Sequence, residues 1–338
     1  MRVAAFTSYD SPSDIEVQTH ADPTPERGEA VVAVHAASLN HRDLWKLKDE
    51  RRTDRQELPF VPGSDLAGIV ERTGEGVTGV EEGDRVVLCP LRTCGTCRFC
   101  REGPENVCSH YDIYDGAFAE RVTVDADRLV VLPDSVGFAA AAALPVAYMT
   151  AYRMLARGNA TVDDRVFVPG ATGGVGLAAV QLANLIGAET IGTSSSGEKL
   201  ARVERAGLTH AVQTGAPEEM HAAVEAIGEV DVTINHLGGP FTRVGVDVLR
   251  RGGRMVVCGR TAGRYPDFDA RDLYLGHKRI IGSTLGTQTD LERLVAYVAD
   301  GRLRPVVGKQ YQLAGTREAF DDMADRQLVG KLVVRPHE

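Results

Sequence analysis

Short apolar runs separated by turn residues dominate the chain between about residues 30 and 131. The runs alternate apolar and polar positions and end near Gly, Pro or Asp: AVVAVHAAS, LAGIVERTG, DRVVLCP, AFAERVTV and RLVVLP. A period of two places every second side chain on the same face of a strand, and Gly, Pro and Asp favour turns. The pattern therefore predicts a mainly β domain of the barrel type.

The pattern changes at residues 137–155, GFAAAAALPVAYMTAYRML, which are rich in alanine and poor in charge. Alanine favours helices, so this stretch predicts a buried pair of helices. Strand-like and helix-like segments then alternate, and about six strands are expected between Val166 and Leu285. Such alternation is typical of a parallel sheet covered by helices, so the predicted fold class is α/β.

The remaining C-terminal segment holds an amphipathic helix in TDLERLVAYVADGRL and a closing strand in GKLVVRP. It is too short to bury a core of its own, so we expect it to return to the first domain. The first domain then comprises residues 1–147 and 286–338. Residues 148–285 form the second domain.

Charge and hydropathy limit the possible partners. The net charge of −9, with no stripe of Lys or Arg, argues against nucleic acid as a partner. The N-terminus MRVAAFTSYDSPSDIEV lacks a long apolar core, and no run of about 18 apolar residues occurs, so neither a signal peptide nor a membrane span is expected. We therefore expect a cytoplasmic protein whose partner is a small molecule.

The six cysteines are distributed unevenly, because four of them lie in the stretch CGTCRFCREGPENVC. In a reducing compartment, cysteines are more often metal ligands or buried apolar groups than disulfides. Four thiolates in one short segment suit the closed tetrahedral coordination of a structural Zn²⁺, which leaves no position for a substrate. We assign one structural zinc to Cys94, Cys97, Cys100 and Cys108; the alternative is a chance cluster of reduced thiols.

A glycine-rich turn, GATGGVG, follows the strand predicted at residues 165–168 and opens the next helix. Glycine lets backbone N–H groups approach a pyrophosphate at the positive end of a helix. The G-x-G-x-x-G form is imperfect because Ala171 stands where the first glycine is expected, but the strand before and the helix after support it. We predict that Gly173, Gly174 and Val175 bind a dinucleotide; the alternative is a turn that only packs the helix on the sheet.

The tip of the second strand of this domain indicates which dinucleotide is bound. An Asp or Glu at this tip usually holds the ribose 2′-hydroxyl of NAD. Here the tip carries Ser194, Ser195 and Ser196, followed by Lys199. Hydroxyls and an ammonium suit a 2′-phosphate, which a carboxylate would repel, so we predict NADP(H). The alternatives are serines that only cap the next helix and an interfering charge on Glu198.

The β domain, the alanine-rich segment, GATGGVGLAAVQLA and LRRGGRMVVCGR together resemble the medium-chain dehydrogenase/reductase superfamily over essentially the whole chain. The resemblance implies a GroES-like β-barrel catalytic domain and a doubly wound Rossmann domain, with cofactor and substrate in the cleft between them. It also implies a zinc lobe at residues 89–110, since zinc-containing members carry cysteines at this spacing. Members commonly associate through their Rossmann domains, so we expect a homodimer or a homotetramer.

The resemblance also locates the positions that ligate a catalytic zinc in the alcohol dehydrogenases of this family. They correspond here to Asn40, Ser64 and Val146, which lack the N and S donors that a catalytic zinc needs. His41 and Asp65 could still form an improvised site. Without a Lewis acid, alcohol oxidation loses its usual activation, whereas reduction of a conjugated C=C needs only hydrogen-bond donors for the charge that spreads onto oxygen.

Zinc-free members that resemble this sequence at SLNHRDL, AALPVAYMTAY and GATGGVG are quinone oxidoreductases and enoyl or alkenal reductases. We therefore predict an NADPH-dependent reductase of an activated C=C or a quinone. Two alternatives stay open. One is an alcohol or aldehyde dehydrogenase with a non-standard metal site or none, and the other is a nucleotide-binding protein without catalysis.

The resemblance implies roles near the reacting atoms for four residues. It places Asn40 and Asp43 beside the nicotinamide, with Asn40 donating to a substrate carbonyl and Asp43 orienting its neighbours. Tyr148 is the candidate proton donor, although solvent could supply that proton. Trp45 is either near the substrate or part of the core.

The resemblance implies further cofactor contacts. Thr150 matches a position that touches the nicotinamide ring, and Lys331 would reach the cofactor phosphates unless it is a surface lysine. The remaining residues expected to contact the cofactor follow the ends of strands, which face the ligand in an open parallel sheet. They are Asn235, His236, Leu237, Gly259, Arg260, Ser283 and Thr284. His236 is either an acid–base group or a bystander.

Overall fold

The computed structural model describes residues 1–48, 57–264 and 269–337. The chain divides into two compact units. Met1–Val146 and Thr287–Glu338 form the first unit, and Ala147–Gly286 form the second unit. Within the described residues, no helix is long and apolar enough to cross a bilayer.

The strands and helices are numbered in chain order. The strands are β1 (Arg2–Phe6), β2 (Ile15–Thr19), β3 (Glu29–Ser38), β4 (Asp65–Thr73), β5 (Arg85–Leu88), β6 (Leu91–Arg92), β7 (Asp112–Ile113), β8 (Arg121–Asp125), β9 (Leu129–Val131), β10 (Arg165–Val168), β11 (Glu189–Ser194), β12 (His210–Gln213), β13 (Val230–Asn235), β14 (Leu249–Val257), β15 (Arg279–Gly282), β16 (Val307–Gln312) and β17 (Lys331–Arg335). The helices are α1 (His41–Lys48), α2 (Arg98–Glu102), α3 (Phe138–Ala142), α4 (Met149–Arg157), α5 (Gly174–Leu185), α6 (Gly197–Glu204), α7 (Pro217–Glu225), α8 (Pro240–Asp247), α9 (Ala270–Gly276), α10 (Gln288–Ala299) and α11 (Thr316–Ala324).

The first unit is built on a large sheet with the strand order β16-β17-β3-β4-β5-β9, in which β8 also pairs with β3. The alternating runs of the sequence correspond to β3, β4, β5, β8 and β9, so the predicted β domain is confirmed. Its longest pairing joins β3 and β4 in antiparallel register, from Ala30 opposite Thr73 to Ser38 opposite Asp65. The closing strand β17 pairs with β3, so the C-terminal segment returns to this unit.

Three fully buried phenylalanines link distant parts of the chain in the core of the first unit. The ring of Phe320, on α11, lies edge-on to the rings of Phe6 and Phe118, with centroids 5.1 Å and 5.7 Å apart. Edge-to-face pairs at such distances are favourable because the positive edge of one ring meets the negative face of the other. The C-terminal helix is therefore held on the N-terminal strand β1.

The alanine-rich segment forms α3 and α4, as predicted, with a π-helical turn at Leu144–Tyr148 between them. Pro145 lies in this turn. Proline has no N–H and its ring clashes with the preceding turn of an α-helix, so a regular helix cannot continue through it. Because of this break, the backbone N–H of Val146 donates its hydrogen bond to the side chain of Asp65.

The second unit contains one parallel sheet with the strand order β12-β11-β10-β13-β14-β15. Numbered within the unit, this is the order 3-2-1-4-5-6 of a doubly wound Rossmann fold, so the predicted fold class and its six strands are confirmed. The order reverses between β10 and β13. In such sheets, ligands bind outside the carboxyl ends of the strands at the point of reversal.

Candidate functional sites of the two units

The sulfur atoms of the predicted zinc ligands come together in the first unit. Cys94 Sγ lies 3.6 Å from Cys108 Sγ and 3.9 Å from Cys100 Sγ, and Cys97 Sγ lies 3.4 Å from Cys100 Sγ. All four cysteines are free, and their sulfurs lie within 4.8 Å of one another. Four sulfurs about 2.3 Å from one Zn²⁺ would be about 3.8 Å apart, so the cluster fits a tetrahedral ion.

Backbone N–H groups favour the thiolate form of Cys94. Hydrogen bonds from the N–H groups of Thr96 and Cys97 lower the pKa of Cys94 to about 5. The thiolate is the form that binds a metal, and metal binding deprotonates the other thiols. The loop therefore presents a ligand that is already ionised at neutral pH.

Asn40, Ser64 and Val146, which were predicted to correspond to ligands of a catalytic zinc, lie around Asp65, also in the first unit. Asp65 is fully buried at the start of β4, and its Oδ2 accepts hydrogen bonds from Ser38 Oγ and Asn40 Nδ2, each 2.8 Å long. Its Oδ1 accepts a hydrogen bond from the backbone N–H of Val146 at 3.0 Å. One carboxylate thus connects two of the three positions.

A buried lysine completes this cluster. Lys331, the first residue of β17, donates from Nζ to Leu39 O and Asn40 Oδ1, both at 2.6 Å, and to Asp65 Oδ2 at 3.3 Å. It is 4% exposed, so the alternative of a surface lysine is wrong. Each of the three hydrogens of the ammonium has an acceptor here, and the predicted contact of Lys331 with the cofactor phosphates stays a prediction.

The donor set around Asp65 does not fit a catalytic zinc. The Asn40 amide oxygen faces an ammonium, which would repel a divalent cation, and Ser64 Oγ accepts a hydrogen bond from the Arg42 guanidinium. Among the described residues, the cysteine cluster is the only group of three or more Cys, His, Asp or Glu side chains arranged to hold a metal. Since Asp65 is already bonded through both oxygens, an improvised site with His41 gains no support.

Asp43 is a fully buried carboxyl group in the first turn of α1. Its Oδ2 accepts a hydrogen bond from the backbone N–H of Asn40 at 2.9 Å, which fixes the start of the helix and the backbone of Asn40. Its Oδ1 has no hydrogen-bond partner within the described parts of the chain. Burial raises the pKa of Asp43 to about 6, against the opposing charge of Arg42.

This pKa predicts a pH-dependent effect of Asp43→Asn. An acid whose pKa is raised by folding costs stability once it ionises, so the wild type should lose up to about 3 kcal/mol between pH 4 and pH 7 because of Asp43. The Asn variant lacks this loss, so its free energy of unfolding relative to wild type should rise by that amount over the same range. Urea unfolding at several pH values measures the difference. A difference that does not change with pH would contradict the raised pKa.

Three other predicted site residues differ in exposure. Trp45 is 40% exposed, so the alternative of core packing is wrong for it. Tyr148 is fully buried in the second unit, and its hydroxyl donates a 2.6 Å hydrogen bond to Gln181 Oε1. Thr150 follows on α4 and is 5% exposed. The roles of Tyr148 as a proton donor and Thr150 as a cofactor contact stay predictions.

The glycine turn joins β10 to α5 in the second unit. Gly170 has a φ of +69°, and a Cβ atom on Gly176 would lie 2.4 Å from Gly170 O, so both positions require glycine. Gly173 caps α5, and Gly174 and Val175 form its first turn. The N–H groups of a first turn have no partner within the helix and point toward its positive end, as an anion site requires.

The tip of β11 carries the hydroxyl groups predicted to bind a 2′-phosphate. Ser196 caps α6 by accepting a hydrogen bond from the backbone N–H of Lys199 at 3.3 Å, so the capping alternative holds for this serine. Ser194 accepts a hydrogen bond from the Ser196 N–H at 3.3 Å, and Ser195 is exposed. No carboxylate occupies positions 194–196, where an NAD-binding acid would stand.

Asn235 organises the turn that follows β13. Its Oδ1 accepts hydrogen bonds from the N–H groups of Leu237 at 3.1 Å and Gly238 at 3.0 Å, and its Nδ2 donates to Thr242 Oγ1 at 3.0 Å. A Cβ atom on Gly176 would lie 3.0 Å from His236 Nε2, so this turn brings the imidazole against the glycine turn.

The other predicted cofactor residues also follow strand ends. Gly259 and Arg260 follow β14, and Ser283 and Thr284 follow β15. Because all strands of this sheet are parallel, these residues lie at the same edge as the glycine turn and the tip of β11. Their contacts with a cofactor stay predictions.

Sequence reasoning missed the groups that hold the predicted residues. Ser38, Arg42 and Gln181 bond to Asp65, Ser64 and Tyr148 respectively, and none was predicted. Ser38 is a polar residue at the end of the apolar strand β3, and this position was a signal that its side chain has a buried partner. Nothing in the local pattern pointed to Arg42 or Gln181.

Comparison with known proteins places each unit in a family. Residues 26–134 match the family model of the alcohol dehydrogenase GroES-like domain, and residues 174–300 match that of zinc-binding dehydrogenase. The chain is 32% identical to acryloyl-coenzyme A reductase of Metallosphaera sedula over 94% of this chain and 96% of the relative. It is 29% identical to quinone oxidoreductase of Mus musculus over 96% of this chain and 94% of the relative. A solved NAD-dependent alcohol dehydrogenase, 30% identical, superposes with a TM-score of 0.91 over 99% of this chain and 100% of that one.

Proposed function

Because the chain belongs to the medium-chain dehydrogenase/reductase superfamily, we propose that it is an NADPH-dependent oxidoreductase acting on a conjugated C=C bond or a quinone without catalytic zinc. The substrate classes are an enone, an alkenal, a quinone or an enoyl thioester. The observation that carries the proposal is that Asn40, expected at the position of a catalytic zinc ligand, is an amide held by hydrogen bonds to Asp65 and Lys331. The names of two relatives, acryloyl-coenzyme A reductase and quinone oxidoreductase, agree with these classes.

Asn40 is the group that we assign to the substrate carbonyl. NADPH, when bound, supplies the hydride that adds to the β-carbon, and negative charge then spreads onto the carbonyl oxygen. One Nδ2–H bond of Asn40 is directed at Asp65, and the other makes only a 3.5 Å contact with Ser38 O. This second N–H is the donor for the developing oxyanion. A proton from Tyr148 or from solvent then completes the α-carbon.

The proposal is tested by NADPH oxidation with acryloyl-CoA, crotonyl-CoA, an enone, an alkenal and a quinone. We expect turnover with at least one acceptor, and we expect Asn40→Leu to lower kcat by about 10²–10³-fold, as the loss of an oxyanion donor does. Absence of NADPH oxidation with every acceptor would refute the proposal.

A second candidate is an alcohol or aldehyde dehydrogenase, favoured by the superposition with the NAD-dependent alcohol dehydrogenase. It predicts oxidation of simple alcohols with NAD(P)⁺. If this activity needs a metal, a second bound metal per chain and inhibition by chelators at full fold stability would support it over the reductase.

The hydroxyl-rich tip of β11 supports NADP(H) as the cofactor. We place the 2′-phosphate against Ser194, Ser195 and Lys199, because their hydroxyl and ammonium groups can donate hydrogen bonds to it. Each charge-assisted hydrogen bond contributes about 1.5–3 kcal/mol. The glycine turn would hold the pyrophosphate, and the residues after β13, β14 and β15 would contact the ribose and nicotinamide.

Lys199→Ala is therefore expected to weaken NADPH binding by about 10–100-fold and NADH binding by much less, since only NADPH carries the 2′-phosphate. Fluorescence titration of both nucleotides measures the two dissociation constants. Arg205→Ala, at the other end of α6, is the matched control and should leave both unchanged. Equal losses for NADPH and NADH in the Lys199 variant would contradict the assignment.

We assign one structural Zn²⁺ to Cys94, Cys97, Cys100 and Cys108, because their sulfur separations suit tetrahedral coordination. Thiolate ligands persist in a reducing compartment, which supports a cytoplasmic protein. One zinc per chain in the purified protein, measured by elemental analysis, tests the assignment.

The edge of the second unit supports a homodimer or homotetramer. β15 ends the strand order, so its outer edge has no neighbouring strand within the described residues. Ile280 on β15 is 37% exposed, and Tyr274 and Leu275 on α9 are 65% and 49% exposed. An exposed strand edge beside apolar side chains is a template for pairing with a second copy. Light scattering of Ile280→Lys should show a shift toward monomer, and an unchanged mass would oppose this interface.

A further inference from the structure

The ion pair between Lys331 and Asp65 is buried among polar groups of the first unit. Lys331 is 4% exposed, Asp65 is 0% exposed, and Nζ lies 3.3 Å from Oδ2. Burying two charges costs several kcal/mol per ion, and such a pair often adds little net stability. A buried pair at this position therefore calls for a role besides stability.

The pair fixes the orientation of the Asn40 amide. An ammonium can only donate hydrogen bonds, and an ionised carboxylate can only accept them. The oxygen of the amide must therefore face Lys331, at 2.6 Å, and its NH₂ group must face Asp65, at 2.8 Å. The opposite orientation would set the amide oxygen against a carboxylate and the NH₂ group against an ammonium.

This orientation decides what Asn40 offers to a ligand. One N–H bond is committed to Asp65, and the other reaches Ser38 O only at the long limit of 3.5 Å. Asn40 is 8% exposed, so a small part of it is accessible. A substrate carbonyl oxygen would be stabilised by an N–H donor and repelled by an amide oxygen.

We infer that Lys331 is a positioning residue that, together with Asp65, holds the Asn40 amide with an N–H available to the substrate carbonyl. The inference rests on the proposed function, because it names the group that makes Asn40 an oxyanion donor. Lys331 acts through Asn40 and not on the substrate, since all three hydrogens of its ammonium are used within the cluster. Lys331 thus holds a fixed cation against the amide oxygen of Asn40.

A double-mutant cycle between Lys331 and Asn40 tests the inference. Lys331→Met keeps most of the side-chain volume and removes the donors, so we expect kcat to fall about 10–100-fold with little change in KM, as for a misplaced catalytic group. In an Asn40→Leu background, Lys331→Met should lower kcat by less than about 2-fold, because the effects of substitutions at residues that act as a unit do not add. Lys331→Arg, which keeps a cation and its donors, should recover part of the lost kcat.

The dissociation constant for NADPH separates this role from cofactor binding. We expect it to be unchanged in Lys331→Met, whereas a lysine bound to the cofactor phosphates would lose NADPH affinity in that variant. Additive losses of kcat in the cycle, or weakened NADPH binding as the main effect, would overturn the inference.

The controls keep the result interpretable. If Lys331→Met alone does not fold, the cycle is run with Lys331→Gln, which removes the cation but keeps N–H donors for the Asp65 carboxylate. The substrate is whichever conjugated acceptor the wild type reduces. A wild type that reduces none refutes the proposed function together with this inference, whereas an active wild type with an additive cycle refutes the inference alone.

Discussion

Replacing Cys108 with serine is expected to remove the proposed structural zinc and unfold the lobe of residues 89–110 while most of the chain stays folded. Cys108 is 1% exposed, so its sulfur is held by the fold, and a serine hydroxyl is a poor substitute for a thiolate ligand. Structural zinc contributes about 10–16 kcal/mol to the folding of small zinc domains, so the loss should be among the largest for any single substitution here. Zinc content should fall from one per chain to near zero, and thermal unfolding should begin at lower temperature.

The control is Cys89→Ala, which alters a buried cysteine outside the cluster and should keep one zinc per chain. Limited proteolysis should cut residues 94–108 in the Cys108 variant and not in the control. A Cys108 variant that keeps full zinc occupancy, or a control that loses it, would contradict the ligand assignment.

Loss of the lobe should also loosen the start of α10. Glu105 lies between the third and fourth cysteines, and its Oε1 accepts a hydrogen bond from the backbone N–H of Gln288, the first residue of α10, at 2.8 Å. Its Oε2 accepts a hydrogen bond from Arg128 at 2.9 Å. A carboxylate at a helix N-terminus interacts favourably with the helix dipole. Hydrogen exchange in the first turn of α10 should therefore become faster in Cys108→Ser and stay unchanged in the Cys89 control.

Arg254→Met is expected to destabilise the second unit by about 3–5 kcal/mol, the usual cost of leaving one partner of a buried ion pair alone. Arg254 donates to Asp164 Oδ1 at 2.9 Å and Oδ2 at 2.7 Å, and both side chains are 8% exposed. The guanidinium also donates to Gly158 O at 2.6 Å and Asn159 O at 2.8 Å. Its removal leaves two carbonyls without this donor and a buried carboxylate without its cation, still held by hydrogen bonds from Thr161.

Urea unfolding measures this loss against a matched control. Arg243→Met breaks an ion pair with Asp247 of similar length, 2.8 Å, but Arg243 is 43% exposed on α8. Exposed pairs contribute less than about 1 kcal/mol, so the control should lose little. Similar losses in both variants would contradict the importance of burial.

The effect of Arg254→Met should depend on pH. Burial acts to raise the pKa of Asp164, but hydrogen bonds from Arg254 and the Thr161 N–H outweigh it and hold this pKa below its usual range. A carboxyl group whose pKa is lowered by folding stabilises the folded protein at any pH above its pKa in the unfolded chain, about 3.9. This stabilisation is lost as the pH falls through its pKa in the folded protein. The difference between wild type and variant should therefore shrink below about pH 4, and a constant difference would contradict this origin.

Local patterns in the sequence predict the parts of the site that are built from neighbouring residues. The cysteine cluster is contained in residues 94–108, and the glycine turn with its flanking strand and helix in residues 165–185. In both, the chain between the functional groups is too short to allow many arrangements. The alternation of strand and helix similarly specified a parallel sheet, whose carboxyl ends must share one edge.

The sequence by itself thus determined the α/β fold, the grouping of the four cysteines and the glycine turn, and the family resemblance predicted that Asn40, Ser64 and Val146 stand where other members have catalytic zinc ligands. Only the tertiary structure decided which groups hold Asn40. Lys331 is 292 positions from Leu39 and 266 from Asp65, and it reaches both because β17 pairs with β3 at the end of the chain. Sequence periodicity describes the faces of single elements, whereas the partner of a buried charge depends on which strands lie side by side.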